Sequence, residues 1–313
     1  MKSIGGYFEL ELPTFSEYHE NAIALNSGRF CLEYILRCKN YTKVFVPYFT
    51  CDTVIEPIIK LGISYEFYHI DKEYRITDNL VLGQSEALLY TNYWGLQDDY
   101  CKILSKLYRS QLILDYTQAF FSKPIIGIDT FYSCRKYFGV PDGGYLYTNS
   151  RLDFPIEVDI SYNRIASLVK RIDISPEAGY EDFLQVSKEF HNLPLRYMSK
   201  FTKRMMCAID YNKVISKRRA NYKMFYEFFG GIELQSDAVP MVYPLLTNQG
   251  ADLRKRLIKN KIFVPQYWPS VKQFAPVNSI SYYLAENIVP LCIDQRVDES
   301  DIKRIINEIL VNE

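Results

Sequence analysis

The chain has 313 residues, 48% of them apolar and 24% charged, a composition that suits a globular protein with one large domain and one smaller one. Lysine plus arginine equals aspartate plus glutamate at 37 each, so no net field draws the chain to nucleic acid or to an anionic membrane. Seven cysteines without a CxxC pair and no N-terminal signal peptide point to reduced thiols in the cytoplasm, and three histidines with no two at ligand spacing argue against zinc. No apolar run approaches the ~20 residues that cross a bilayer. The 27 tyrosines and 19 phenylalanines favour strands and interfaces, and hint at oligomer contacts.

In chain order, Tyr7 to Leu12 alternates like an edge strand or an arm. Ser27 is placed to cap a helix that carries Phe30, Leu32, Tyr34 and Ile35. A Ser27-Gly28-Arg29 helix start offers free N–H groups and the positive dipole end, which suits a phosphate; a plain capped helix is the competing reading. Lys43 to Pro47 reads as a buried strand, and Asp52 to Leu61 as a helix. Tyr65 to Ile70 and Ala87 to Thr91 are the next strands, and Asp98 to Arg109 the next helix. This alternation predicts a mostly parallel sheet with helices on both faces.

The chemistry concentrates between Gln111 and Thr148. A short apolar run ends at Asp115, a second β-rich run (Ile128 to Ser133) ends beside Lys136, and Pro141 to Gly144 turns the chain into a third, Tyr145 to Thr148. Residues at the carboxyl ends of strands face the ligand crevice of an open α/β sheet, so Asp115 and Lys136 are expected near one crevice. Pyridoxal phosphate requires a lysine amine for its aldehyde and a carboxylate against its pyridine nitrogen. At about 4 Å and an effective dielectric near 20, that carboxylate contributes roughly 4 kcal/mol, or about three pKa units, to keeping the ring protonated. Strand-end aspartates and turn lysines are also common without a cofactor, so the pair alone leaves both readings open.

The whole stretch resembles the cofactor region of fold-type-I pyridoxal-phosphate enzymes, specifically the DegT/StrS group of sugar aminotransferases. Asp115-Tyr116-Thr117-Gln118 is similar to the group's Asp-x-x-Gln motif, and Lys136 stands before Gly143-Gly144 as the group's lysine stands before a Gly-Gly turn. Ser27-Gly28-Arg29 resembles its Ser-Gly-Thr-like phosphate step, with Arg29 in place of the small hydroxyl residue. Cys51 occupies the slot where the group stacks an aromatic on the cofactor ring, so either its thiol covers the ring face or a neighbouring aromatic, Tyr48, Phe49 or Trp94, takes over. The resemblance implies Lys136 and Asp115 as catalytic residues. It implies Ser27, Gly28, Arg29, Cys51, Gln118 and Ser133 around the cofactor, with Gln118 near the ring or its 3-oxygen and Ser133 on the phosphate. It further implies a homodimer, a nucleotide-linked keto sugar as substrate and glutamate as amino donor. Lys136 argues against the group's lysine-less dehydratases, which carry histidine there.

After Ser150 the pattern changes. Residues 151 to 190 read as short helices and connections, and Met198 to Phe229 as one long helix stopped by Gly230-Gly231. Lys200 to Arg219 is locally basic, read as a solvated helix face or a contact for nucleotide phosphates. Strands at Pro240 to Leu246, Phe263 to Gln266 and Ile288 to Cys292, with helices at Leu253 to Asn260 and Asp298 to Val311, predict a small α+β domain. The expected division is 1–197 for the large cofactor-binding α/β domain and 198–313 for the connecting helix and small domain. Other pyridoxal-phosphate chemistry, or a silent relative used for binding, are the alternatives that Cys51 and the short middle region keep open.

Overall fold

Alternation within the central strands decides the layering. Val44, Val46, Ala87, Leu89, Ile113, Phe131 and Leu146 are buried on one face, while their neighbours Phe45, Leu88, Tyr90, Leu112, Leu114, Tyr132 and Tyr145 are buried on the other. Successive side chains of a strand point to opposite faces, so a strand apolar at every position must be covered twice. The computed structural model describes residues 4–310 and shows that arrangement.

The elements run β1 (Ile23–Leu25), α1 (Gly28–Cys38), β2 (Lys43–Pro47), α2 (Ile55–Lys60), β3 (Ser64–Tyr68), β4 (Glu86–Thr91), α3 (Asp98–Tyr108), β5 (Leu112–Asp115), β6 (Asp129–Ser133) and β7 (Gly144–Tyr147). They form a seven-stranded sheet in the order β1-β7-β6-β5-β4-β2-β3. β7 alone runs against the rest, pairing antiparallel with β6 and with β1. Phe30, Leu32, Ile35 and Leu36 of α1 and Ile58 of α2 fill one face, whereas Cys101 and Leu104 of α3 lie on the other.

Next come α4 (Ala166–Asp173), α5 (Tyr180–Glu189), α6 (Lys200–Met206) and α7 (Tyr211–Phe229). The chain closes with β8 (Tyr243–Leu246), α8 (Gly250–Lys259), α9 (Val271–Phe274), α10 (Ile280–Asn287), β9 (Ile288–Leu291) and α11 (Glu299–Leu310). β8 and β9 pair antiparallel as a separate two-stranded sheet. No helix among the described residues is long and apolar enough to cross a membrane.

Four expectations are corrected. The long helix is two helices: Ser199 accepts from Thr202 N to start α6, and Asp210 accepts from Lys213 N (3.0 Å) to start α7, so caps inside the apolar pattern divide it. Tyr7 to Leu12 forms no strand; Arg204 takes the Leu12 carbonyl (2.7 Å) and Phe15 N donates to Cys207 O, which ties the arm to α6 instead of a sheet edge. Phe263 to Gln266 also stays outside the small sheet, where Pro265 has no N–H to offer a ladder. The basic stretch is not simply a solvated face, because Arg218 is buried and donates to the carbonyls of Met241 (2.8 Å) and Pro240. Val311 lies outside the described residues.

Gly144 shows how the site end of the sheet is assembled. A Cβ there meets the Ser27 carbonyl carbon at 2.6 Å and Gly28 N at 2.8 Å, so β7 and the start of α1 touch backbone to backbone. Gly144→Ala is expected to cost about 1–3 kcal/mol in denaturant unfolding. Gly139→Ala, whose added carbon meets only Leu168 at 3.6 Å, is the near-neutral control.

Candidate functional site

Parallel pairing puts the carboxyl ends of β4, β5 and β6 side by side: Thr91 is in register with Asp115, and Asp115 with Phe131. Asp115 ends β5 with 4% of its surface exposed. The backbone turns at once, and Thr117 N–H donates to Asp115 Oδ1 (2.8 Å), an Asx turn that holds the carboxylate. Lys136 closes a 3₁₀ turn (Cys134–Lys136) just after β6, and its Nζ donates to Thr117 Oγ1 at 2.8 Å. Thr117 therefore bridges the two residues singled out in the sequence. Burial pushes the Asp115 carboxyl above the usual range, and the Lys136 charge and the Thr117 bonds pull it back.

Around this pair stand the other expected residues. Ser27 caps α1, its Oγ accepting from Phe30 N (3.4 Å). A Cβ on Gly28 meets Thr117 Cγ2 at 3.0 Å and Ser133 Cβ at 3.7 Å, which puts the first turn of α1 against both. Arg29 pairs with Glu56 (2.6 Å), and His191 Nδ1 lies 2.9 Å from the same carboxylate. Cys51 accepts from Thr53 Oγ1 (3.1 Å); burial raises its thiol, and the nearby Lys136 charge lowers it.

Gln118 is held from one side. It is fully buried, and its Oε1 accepts from Trp94 N (3.0 Å), fixing the turn in which Trp94 has φ 62°. Its Nε2 has no partner among the described residues. The three aromatics offered as substitutes for Cys51 are engaged otherwise. Tyr48 stacks on Phe67 (4.8 Å), Phe49 packs against Tyr93 and Trp268, and Trp94 is buried in the same aromatic core.

Sequence reasoning missed four residues here. Thr117 was only a variable position of a motif. Asn26 donates to the Pro194 carbonyl and accepts from Arg196 N, tying the 194–196 segment to the start of α1. Tyr267 lies near Cys51 and packs against Trp94 (5.4 Å). Arg135 was hidden beside Lys136. The Tyr137 carbonyl, next along, receives Gln295 Nε2 (3.0 Å) and Arg218 (3.5 Å), so the end of the chain steadies the lysine turn. Two clefts of about 670 and 800 Å³ lie away from the pair, one beside β1 and the other between α3 and α7; neither is lined by Asp115 or Lys136.

Among solved structures, the chain is similar to DesV of S. venezuelae at 16% identity, covering 92% of this chain and 83% of that one, with a TM-score of 0.59. It is similar to PseC of Helicobacter pylori, an aminotransferase involved in pseudoaminic acid biosynthesis (14% identity; 92% and 85% covered; TM-score 0.60). NtdA of Bacillus subtilis, solved with bound cofactor PMP, matches at 12% identity, 92% and 72% coverage and a TM-score of 0.58. The chain has the fold of these proteins. No protein-family model and no curated protein matches it by sequence.

In that fold, the end of the sheet that carries Asp115, Lys136 and the start of α1 combines a buried carboxylate, a lysine amine and free helix N–H groups. That donor set can meet a ring nitrogen, an aldehyde and a phosphate.

Proposed function

We propose that this chain is a pyridoxal-phosphate-dependent aminotransferase of the DegT/StrS type. Its substrate is a keto sugar carried on a nucleotide, its amino donor glutamate, and its setting the cytoplasmic synthesis of surface polysaccharide or a related sugar. One observation carries the reading: Lys136 and Asp115 meet through Thr117 at the carboxyl ends of adjacent strands. The fold shared with DesV, PseC and NtdA supports it, as does the PMP of NtdA.

The residues fit the cofactor. The tight approach of Gly28 to Thr117 and Ser133 forms a cradle that any side chain at 28 would fill, and the Asp115 carboxylate is buried beside it. In this reading Ser27, Gly28, Arg29 and Ser133 would hold the phosphate, Cys51 would line the wall and Asp115 would meet the ring nitrogen. Bound there, pyridoxal phosphate supplies an electron sink for charge that develops on the substrate carbon. As a carboxylate, Asp115 would face the ring nitrogen and favour its protonated form. Lys136 would supply the amine for the aldehyde and, when free, act as general base toward the substrate carbon. The Thr117 hydroxyl receives the free amine and keeps it within reach of Asp115.

In this reading 1–197 is the cofactor unit and 198–313 the smaller one, and a second copy of the chain completes a homodimer. Ile160, Tyr162, Ile172 and Ile174 are each more than 60% exposed, apolar surface of the kind a partner covers. Cys51, with the nearby aromatics committed elsewhere, favours a silent binding relative as the second reading. Colour separates the two. The protein with pyridoxal phosphate is expected to turn yellow, Lys136→Ala to stay colourless, and glutamate to bleach the wild type. A protein that takes up no cofactor supports the silent relative; colour without bleaching moves the reading to another pyridoxal-phosphate reaction.

A further inference from the structure

Arg135 precedes Lys136 in the same 3₁₀ turn, and its side chain is partly buried. Its guanidinium stacks on Phe190 (4.6 Å from the ring centre), with Phe183 at 5.9 Å, and its side chain makes a long hydrogen bond to Ser187 Oγ (3.5 Å). Among the described residues no carboxylate stands within ion-pairing distance of it. Asp142, the acid that attracts it, is held by the backbone and hydroxyl of Ser199 (3.1 Å each), and the neighbouring Arg29 and Arg164 are themselves paired, with Glu56 (2.6 Å) and Asp159 (2.7 Å). Arg164 and Arg29 lie close enough to repel it. Burial, then those like charges, bring its pKa down to about 10, against an opposing pull from Asp142.

A guanidinium held among aromatic rings and like charges is costly unless an anion meets it. The neighbouring features are those of an anion site. Gly28 and Arg29 open an eleven-residue helix whose first N–H groups have no intrahelical partner, and Ser133 stands beside Gly28. The planar fork of arginine matches a phosphate with two parallel hydrogen bonds.

We propose that Arg135 is the counter-cation for a phosphate group held at the start of α1. That phosphate belongs either to the cofactor, in which case the inference rests on the reading above, or to a nucleotide-linked substrate, in which case it does not.

The test uses the full chain freed of cofactor, as wild type and Arg135→Gln, with folding checked by thermal melting. Three probes are titrated: pyridoxal 5′-phosphate, pyridoxal lacking the phosphate, and uridine diphosphate. A loss of about tenfold or more for pyridoxal phosphate, with pyridoxal unchanged, assigns Arg135 to the cofactor phosphate. An equal loss confined to uridine diphosphate assigns it to the substrate. Unchanged affinity for all three, or equal losses for pyridoxal and its phosphate, overturns the proposal. If wild type binds no pyridoxal phosphate, the cofactor reading fails and the uridine diphosphate arm still decides on Arg135. Should Arg135→Gln not fold, Arg135→Met, which keeps an apolar stem over Phe190 and loses the charge, is scored in the same way.

Discussion

Lys136→Ala is expected to lower transamination by about 10⁴-fold while the protein still folds. The lysine is partly exposed, and its recorded bond is to the Thr117 hydroxyl, so no buried network collapses when it goes. What goes, on the proposed function, is the amine for the aldehyde and the proton carrier. The substitution also removes the cation that tempers Asp115. The Asp115 pKa is raised in the folded state by burial and partly restored by Lys136, so Lys136→Ala raises it further. A carboxyl with a raised folded pKa supports the fold below its ordinary pKa, and that support is lost as pH rises through the raised value. Cofactor-free Lys136→Ala is therefore expected to lose melting temperature relative to wild type as pH climbs past the Asp115 titration. Equal curves for the two proteins across that range, followed by thermal melting, contradict the placement of Lys136 beside Asp115.

Asp115→Asn is expected to separate stability from activity. Asparagine keeps an oxygen for Thr117 N–H and roughly the same volume, so the turn at the end of β5 persists. It removes a buried negative charge whose ionisation burial opposes, so the cofactor-free variant is expected to be at least as stable as wild type at neutral pH. It also removes the partner of the ring nitrogen. About 4 kcal/mol of charge pairing at ~4 Å corresponds to about three pKa units, so turnover is expected to fall by about 10³-fold. Cofactor titration, denaturant unfolding and steady-state rates on one preparation read out all three quantities. A variant that is active at the wild-type rate removes Asp115 from the chemistry.

The central sheet was legible because β2, β4 and β5 are apolar through their middles, and α1, α2 and α3 stand between strands at three of the connections. Ser27, in front of an apolar stripe, likewise announced the start of α1, and its hydroxyl caps Phe30 N. What periodicity could not reveal was the break at Cys207 to Asp210, where local caps at Ser199 and Asp210 override an apolar pattern that runs on through both helices. Asp115 and Lys136 could be named in advance because strand ends of an α/β sheet share an edge. Thr117 could not, since its part depends on the Asx turn that lifts its hydroxyl between two residues far apart in sequence. Arg135 escaped for a related reason: nothing in the sequence says which acid meets it, and only the fold commits Asp142 to Ser199. Gln118 shows the reverse, a motif residue that the fold turns towards the Trp94 backbone.

The most direct measurement is chemical. The protein is loaded with pyridoxal phosphate, reduced with borohydride, digested, and its peptides weighed. A phosphopyridoxyl group on Lys136 alone, absent in Lys136→Ala, is the expected result. The same group on another lysine, or on none, contradicts the site.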